Sequence, residues 1–235
     1  MSQPTIWAVV PAAGIGTRFA ADCPKQYLSL AGQSIAERSL NTLIASNLFA
    51  AIVVAVNPAD DYFDQFPMAS QPLIERVDGG NSRAESVLKG LEALSGRADK
   101  NDWVMVHDIA RPLVTVESLL RMRSAVADTD VAAILAAPIY DTVKQTSSGG
   151  ERLPVIKATL DRQQLWAAQT PQMVRYGLLC EALSDALATN YTVTDEASAV
   201  EYLGADVIVV ENTQQNIKIT TPDDLQMAAF FLSLR

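Results

Sequence analysis

A chain of 235 residues, 49% of them hydrophobic and 19% charged, is long enough to bury one large core and lies outside the disordered and low-complexity classes. Its formal net charge of -9 argues against a nucleic-acid surface, and requires any phosphate site to be a local cluster of Arg and Lys helped by a divalent metal. No apolar run approaches the roughly 20 residues that cross a bilayer, no secretory leader is visible, and Cys23 and Cys180 alone make no disulfide framework, so one domain over 1–235 in a reducing cytoplasm is expected.

The first apolar run, Ile6 to Val10, predicts a buried strand, and it feeds the stretch PAAGIGTRFAADCPKQY from Pro11 to Tyr27. Few large side chains stand between Pro11 and Thr17, so backbone N–H groups there can close around phosphate oxygens, with Arg18 and Lys25 just beyond. Ser34 and Glu37 read as a capping box that opens a helix with Ile35, Leu40, Leu43 and Ile44 on one side. The run Ala50 to Val56, stopped by Asn57 and Pro58, suits a strand covered on both faces. Ile74 to Val77 predicts the next strand, followed by a Gly79–Gly80 turn and a second capping box, Ser82 to Glu85. The helix after it places Ala84, Val87, Leu88, Leu91 and Leu94 at helical spacing. Trp103 to Val106 predicts a strand ending in HDIARP, and Val131 to Ala137 another. This alternation predicts an α/β fold, a Rossmann-like and mostly parallel twisted sheet flanked by helices.

From Ile139 to Thr159 the pattern changes: IYDTVKQ and LPVIKATL are β-rich and are joined by TSSGGER. They predict a hairpin, a β-arm projecting at about 138–160, whose edges need cover. Pairing with the same arm of a second subunit would supply it and make a homodimer. Tyr176 to Leu187 reads as helix, and TDEASAVEYLG as a further helix with an acidic first turn, ended by Gly204. VIVVE and IKIT read as short strands. Thr221, Pro222 and Asp224 cap a C-terminal helix with Leu225, Ala228 and Phe231 or Leu232 on its apolar face.

In an open α/β sheet, ligands bind outside the carboxyl ends of the strands. Loops 11–25, 78–86 and 107–112 all follow predicted strands and should meet there. A dinucleotide fingerprint fails, because Gly14 and Gly16 are followed by Phe19 where a third glycine belongs, and no acid for a ribose lies near Asn57. A P-loop fails as well, since Gly16 precedes Thr17 and Arg18. Nucleotidyl transfer fits better. A phosphate monoester is ionised near neutral pH, its second pKa being about 6, so no general base is needed. The protein must neutralise charge on the transferring phosphoryl group and the leaving pyrophosphate. Arg18 and Lys25 are suited to that, and Asp108 at a strand end is a candidate metal ligand.

Simpler readings stand beside these. Ser82 and Glu85 serve as a helix cap, His107 as a packed, hydrogen-bonded residue, and Asp141 and Lys144 as an exposed pair on the arm. Asp195 and Glu196 read equally as an acidic first turn, and Cys23 as an incidental thiol that a nearby Lys25 would make more reactive.

Taken in order, PAAGIGTRF with CPKQY, DGGNSRAESV, HDIARP, APIYDTVK, LDRQQLW, QTPQ, TDEASAVE and NIKIT resemble the 2-C-methyl-D-erythritol 4-phosphate cytidylyltransferase family of the non-mevalonate isoprenoid pathway. The resemblance runs from about Ile6 to the C-terminal helix. It implies CTP and Mg²⁺ as cosubstrate and cofactor, release of pyrophosphate, and a homodimer built through the arm. It implies that Ala12, Ala13, Gly14 and Gly16 wrap the triphosphate, that Arg18 and Lys25 stabilise the pentavalent α-phosphate, and that Lys218 lies near it. Gly80, Asn81 and Ser86 would read cytosine and ribose, and Asp108 would hold metal or ligand hydroxyls. Arg111, Thr142, Arg162, Thr170, Thr194 and Lys218 would surround the acceptor, with Thr142 and Arg162 reaching in from the partner's arm. Two positions depart from the family's usual residues: Asn81 stands where Asp is common, and Ile109 where Ala is common. A pentitol phosphate such as ribitol phosphate is the alternative acceptor, and a non-catalytic nucleotide-binding regulator is the alternative of a different class.

Overall fold

The computed structural model describes residues 4–14, 23–147 and 153–235. Gly16, Arg18 and most of the TSSGGER connection lie outside the described residues. Strand β1 (Ile6–Ala12) is buried along its whole length. Alternate residues serve opposite faces, as the period of a strand requires. Ala8 and Val10 join a core with Leu40, Leu43 and Met105, whereas Trp7 and Val9 join another with Val53, Leu91 and Leu179. Two apolar faces explain why the run is apolar throughout.

Strands β2 (Ser29–Leu30) and β3 (Gln33–Ser34) form a short antiparallel pair. Ser34 then caps α1 (Ile35–Ala45) with the expected reciprocal box, its hydroxyl accepting from the Glu37 N–H at 3.1 Å and its own N–H donating to the Glu37 carboxylate at 2.7 Å. Strands β4 (Ile52–Val56) and β5 (Ile74–Asp78) run parallel to β1. Ser82 caps α2 (Arg83–Glu92) by accepting from the Glu85 N–H at 3.1 Å. The other half of that expected box is missing. The Glu85 carboxylate accepts from the Asn81 N–H at 2.8 Å, because the Gly79–Gly80 turn brings that donor over it.

Next come β6 (Trp103–Val106), α3 (Val116–Thr129), β7 (Ala132–Pro138), β8 (Lys144–Thr146) and β9 (Ile156–Thr159). They are followed by β10 (Trp166–Arg175), α4 (Tyr176–Ala188), α5 (Glu196–Tyr202), β11 (Val207–Glu211) and α6 (Pro222–Ser233). The main sheet has seven strands in the order β11-β7-β10-β6-β1-β4-β5. All pairs are parallel except those made by β10, which is antiparallel to both β6 and β7. The sheet is therefore mostly parallel, as expected, with one reversed strand in its interior. Helix α3 and strand β10 are absent from the sequence reading. Pro171 breaks the apolar pattern of β10 and demotes it as a central strand, yet Gln169, Thr170 and Gln172 are buried there with hydrogen-bond partners.

The expected strand IKIT is not one. Ile219 donates a single backbone hydrogen bond to the Ala110 carbonyl at 2.8 Å, and its side chain packs with Leu30, Ile35, Leu113 and Ala228 beneath α6. The expected hairpin is present in shorter form as β8 and β9, which pair only with each other among the described residues. Leu153, Val155 and Ile156 on this hairpin are exposed.

Candidate active site

Three loops at the carboxyl ends of β1, β5 and β6 converge on one cleft of about 230 Å³, joined by Lys25 and Lys218. Close contacts lock them to one another. A Cβ added at Gly79 would lie 2.5 Å from the Ala13 Cβ, so the loop after β5 can approach the loop after β1 only because residue 79 is glycine. A Cβ at Gly80 would lie 2.3 Å from the Glu85 Cβ, which fixes the turn into α2. The Gln26 side-chain amide donates to the Ala12 carbonyl at 3.0 Å, and the Ser86 hydroxyl accepts from the Gly80 N–H at 3.0 Å. Ala12, Ala13, Gly14, Gly80, Asn81 and Ser86 thus form one wall.

The opposite side carries the charges. Asp108, buried at the end of β6, accepts from Arg83 Nε through Oδ1 at 2.8 Å and from Lys218 Nζ through Oδ2 at 2.9 Å. Arg111 Nε stands 3.8 Å from Oδ2. Burial alone would push the Asp108 pKa up, but the Arg83 charge and then that of Lys218 outweigh it and hold the carboxyl well below the usual carboxylate range. Lys25 Nζ donates to the Ile219 carbonyl at 2.9 Å, tying the opening loop to the segment that carries Lys218.

His107 is fully buried. Its Nε2 faces the Arg111 carbonyl at 3.1 Å, so that nitrogen carries the proton, and Nδ1 accepts from the Thr170 hydroxyl at 3.2 Å. The same hydroxyl accepts from the Asp108 N–H at 2.9 Å. Burial pulls the His107 pKa down to about 4, and the ring is a neutral packing element that sets the Asp108 backbone. Thr170 therefore works from beneath the cleft, as does Arg111, whose Nη1 donates to the Asn216 carbonyl at 2.8 Å.

Thr142 and Arg162 are not among the residues lining their own chain's cleft. Both are exposed at the root of the β8–β9 hairpin, where Arg162 donates to the Tyr140 carbonyl. Thr194 is exposed just before the N-cap of α5.

Arg83 escaped the sequence reading, and Glu196 entered it only beside Asp195, as an acidic first turn with no partner named. Arg83 lines the cleft and forms a bidentate pair with Glu196, Nη1 to Oε1 at 2.7 Å and Nη2 to Oε2 at 3.0 Å. Glu196 is fully buried, so it is a charge partner and not an exposed first-turn acid, although neighbouring Asp195 does cap α5. One signal was present in the sequence. Arg83 is a cation in the first turn of a helix, where the macrodipole disfavours it, so it needs an anion elsewhere.

A glycine-walled cleft lined by Lys25 and Lys218, at the carboxyl edge of a mostly parallel sheet, fits the nucleotidyltransferases. The family model of 2-C-methyl-D-erythritol 4-phosphate cytidylyltransferase (IspD) matches residues 6–234. A relative of that name from Photobacterium profundum is 45% identical over 225 residues, covering 96% of this chain and 95% of the relative. One from Yersinia pseudotuberculosis is 44% identical over 235 residues, covering 100% and 95%. The crystal structure of the Francisella tularensis 2-C-methyl-D-erythritol 4-phosphate cytidylyltransferase superposes with a TM-score of 0.82 at 38% identity, covering 96% of this chain and 99% of that one. The chain belongs to the 2-C-methyl-D-erythritol 4-phosphate cytidylyltransferase family.

Proposed function

We propose that this chain, as a single nucleotidyltransferase domain, transfers the cytidylyl group of CTP to 2-C-methyl-D-erythritol 4-phosphate in the cleft above β1, β5 and β6. An acceptor phosphate oxygen attacks the α-phosphorus, the bond from that phosphorus to the β-phosphate oxygen breaks, and pyrophosphate leaves. The products are 4-diphosphocytidyl-2-C-methyl-D-erythritol and pyrophosphate. The observation that carries this reading is the meeting of the 12–14, 79–86 and 108–110 segments with Lys25 and Lys218 around one cleft, within a chain that matches the family over nearly its whole length.

Ala12, Ala13 and Gly14, with Gly16 beyond them, hold the triphosphate through backbone N–H groups. Lys25, Arg18 and Lys218 offset the negative charge that builds on the phosphoryl group under attack, an effect concentrated in the transition state. Gly80, Asn81 and Ser86 read the base and ribose. Among the described residues Asp108 is the only carboxylate lining the cleft, and they hold no cluster of three or more His, Cys, Asp or Glu. That donor set fits Mg²⁺, which takes one or two carboxylates and leaves its other positions to water and substrate phosphates. Asp108 would hold it, and the ion would supply charge neutralisation on the triphosphate.

On the acceptor side, Arg111, Thr170, Thr194 and Lys218 serve the methylerythritol phosphate, with Thr142 and Arg162 supplied by the hairpin of a second copy. The exposed apolar residues of that hairpin support a homodimer, since they need cover. Cys23 and Cys180 are unpaired, in keeping with a reducing cytoplasm. No helix among the described residues is long and apolar enough to cross a membrane. The test is pyrophosphate release from CTP and Mg²⁺ with either methylerythritol phosphate or ribitol phosphate as acceptor. Rapid release with the first is expected. Release with ribitol phosphate alone would overturn the acceptor assignment, and release with neither would overturn the reaction.

A further inference from the structure

We propose that Arg83, anchored by the buried carboxylate of Glu196, is a positioning residue that holds Asp108 and shares its charge, so that Lys218 can leave Asp108 for the phosphate under attack. The inference rests on the cytidylyl-transfer reading of the cleft. Arg83 is the first residue of α2, directly after the turn assigned to the base. Its guanidinium crosses to two other segments and uses all three of its nitrogens: Nη1 and Nη2 on the Glu196 carboxylate, and Nε on Asp108 Oδ1.

Each end of this bridge has a distinct meaning. Glu196 is fully buried at the start of α5, and among the described residues its one salt-bridge partner is Arg83. No substrate can reach it, so its effect is exerted on Arg83. A bidentate pair with Glu196 would already complete a structural staple between α2 and α5. The Nε bond to Asp108 goes further, because Asp108 faces the cleft and its other oxygen holds Lys218 at 2.9 Å. With three of its five N–H donors committed to Glu196 and Asp108, Arg83 is a cleft-lining cation held in place by carboxylates.

Without Arg83, the Asp108 charge would fall on Lys218 and Arg111 alone, the cations assigned to substrate phosphates. Lys218 would then be withheld from the α-phosphate. Loss of a contact made chiefly in the transition state lowers kcat more than it raises KM.

Replacing only one member of a buried ion pair strands a charge, whereas replacing both with apolar groups of similar volume is often neutral for stability. The test is therefore the double variant R83M/E196L, with Tm, kcat and both KM values measured beside wild type. The expected result is a Tm close to wild type, a KM for CTP within about threefold, and kcat lowered about tenfold or more. Recovery of wild-type kcat together with wild-type Tm would show a purely structural staple and overturn the proposal. Should the double variant not fold, Glu196→Gln decides. It keeps an acceptor for Arg83 but removes the anchoring charge, and kcat should fall at least about threefold with KM for CTP unchanged; an unchanged kcat would overturn the proposal. Wild-type turnover is measured first, and its absence would refute the reaction itself, apart from any effect of Arg83.

Discussion

His107 shows at the residue scale how a chain with a single histidine uses it away from the chemistry. Its ring is held between the Arg111 carbonyl and the Thr170 hydroxyl, and its pKa is depressed to about 4 by burial. An unfolded histidine titrates near pH 6.5. The folded pKa is the lower of the two, so the unfolded chain takes up the proton first as the solution is acidified. Stability is then full above about pH 6.5 and falls as the pH drops toward 4, with a loss on the order of 2 kcal/mol between pH 7 and pH 5. Urea denaturation at those two pH values checks this. His107→Gln should flatten the dependence, and an equally steep one in that variant would assign the effect to other groups.

Lys25 could be singled out at this scale as an isolated cation in the opening stretch of an acidic chain, whereas Lys218 entered only through the family resemblance. Arg83 and Glu196 were not legible as partners, since 113 residues separate them and each resembles an ordinary charge in a helix's first turn. Only the folded chain shows that they answer one another.

Among the elements, the helix caps were the most legible feature. Ser34, Ser82 and Thr221 each accept from a backbone N–H at a helix start, as expected from a rule confined to a few consecutive residues. Strands buried on both faces were legible from their apolar runs. The failures lie where partners distant in sequence decide the conformation: β10 is held by pairing on both sides despite its polar residues, and Ile217 to Thr220 is drawn out of any ladder by Ala110 and the core under α6. The contact between the loops after β1 and β5 carries a prediction of its own. In Gly79→Ala the new methyl would press on the Ala13 Cβ and move the wall proposed for the triphosphate away from the turn proposed for the base. The expected outcome is a fall of about tenfold or more in kcat/KM for CTP, a fraction of what well-positioned groups contribute. Unaltered kcat/KM would mean that the two loops separate without consequence.

For the whole molecule, the placement of Thr142 and Arg162 outside their own chain's cleft frames the proposed dimer as a shared-site assembly. Chains bearing Lys25→Ala and chains bearing Arg162→Ala should each be nearly inactive alone. In a heterodimer, the chain that keeps Lys25 receives an intact Arg162 from its partner, so one of the two sites is restored. Random exchange makes about half of the dimers heterodimers, and the mixture should reach about a quarter of wild-type activity. Inactivity despite exchange confirmed by native mass spectrometry would refute site sharing. The sheet's parallel character was legible from alternating strands and helices, but its strand order was not, because only tertiary pairing places β10 between β6 and β7.

That strand order bears on how the molecule comes into being. During synthesis, β6 and β7 are complete well before residues 166–175 exist, yet they are neighbours only through those residues. Until β10 is inserted, β6 keeps one open edge and β7 two, and such edges are templates for self-association. A ribosome that stalls in the hairpin therefore leaves a half-sheet with its central seam unclosed, and the final assembly of the centre must wait on the strand that also leads away from the arm.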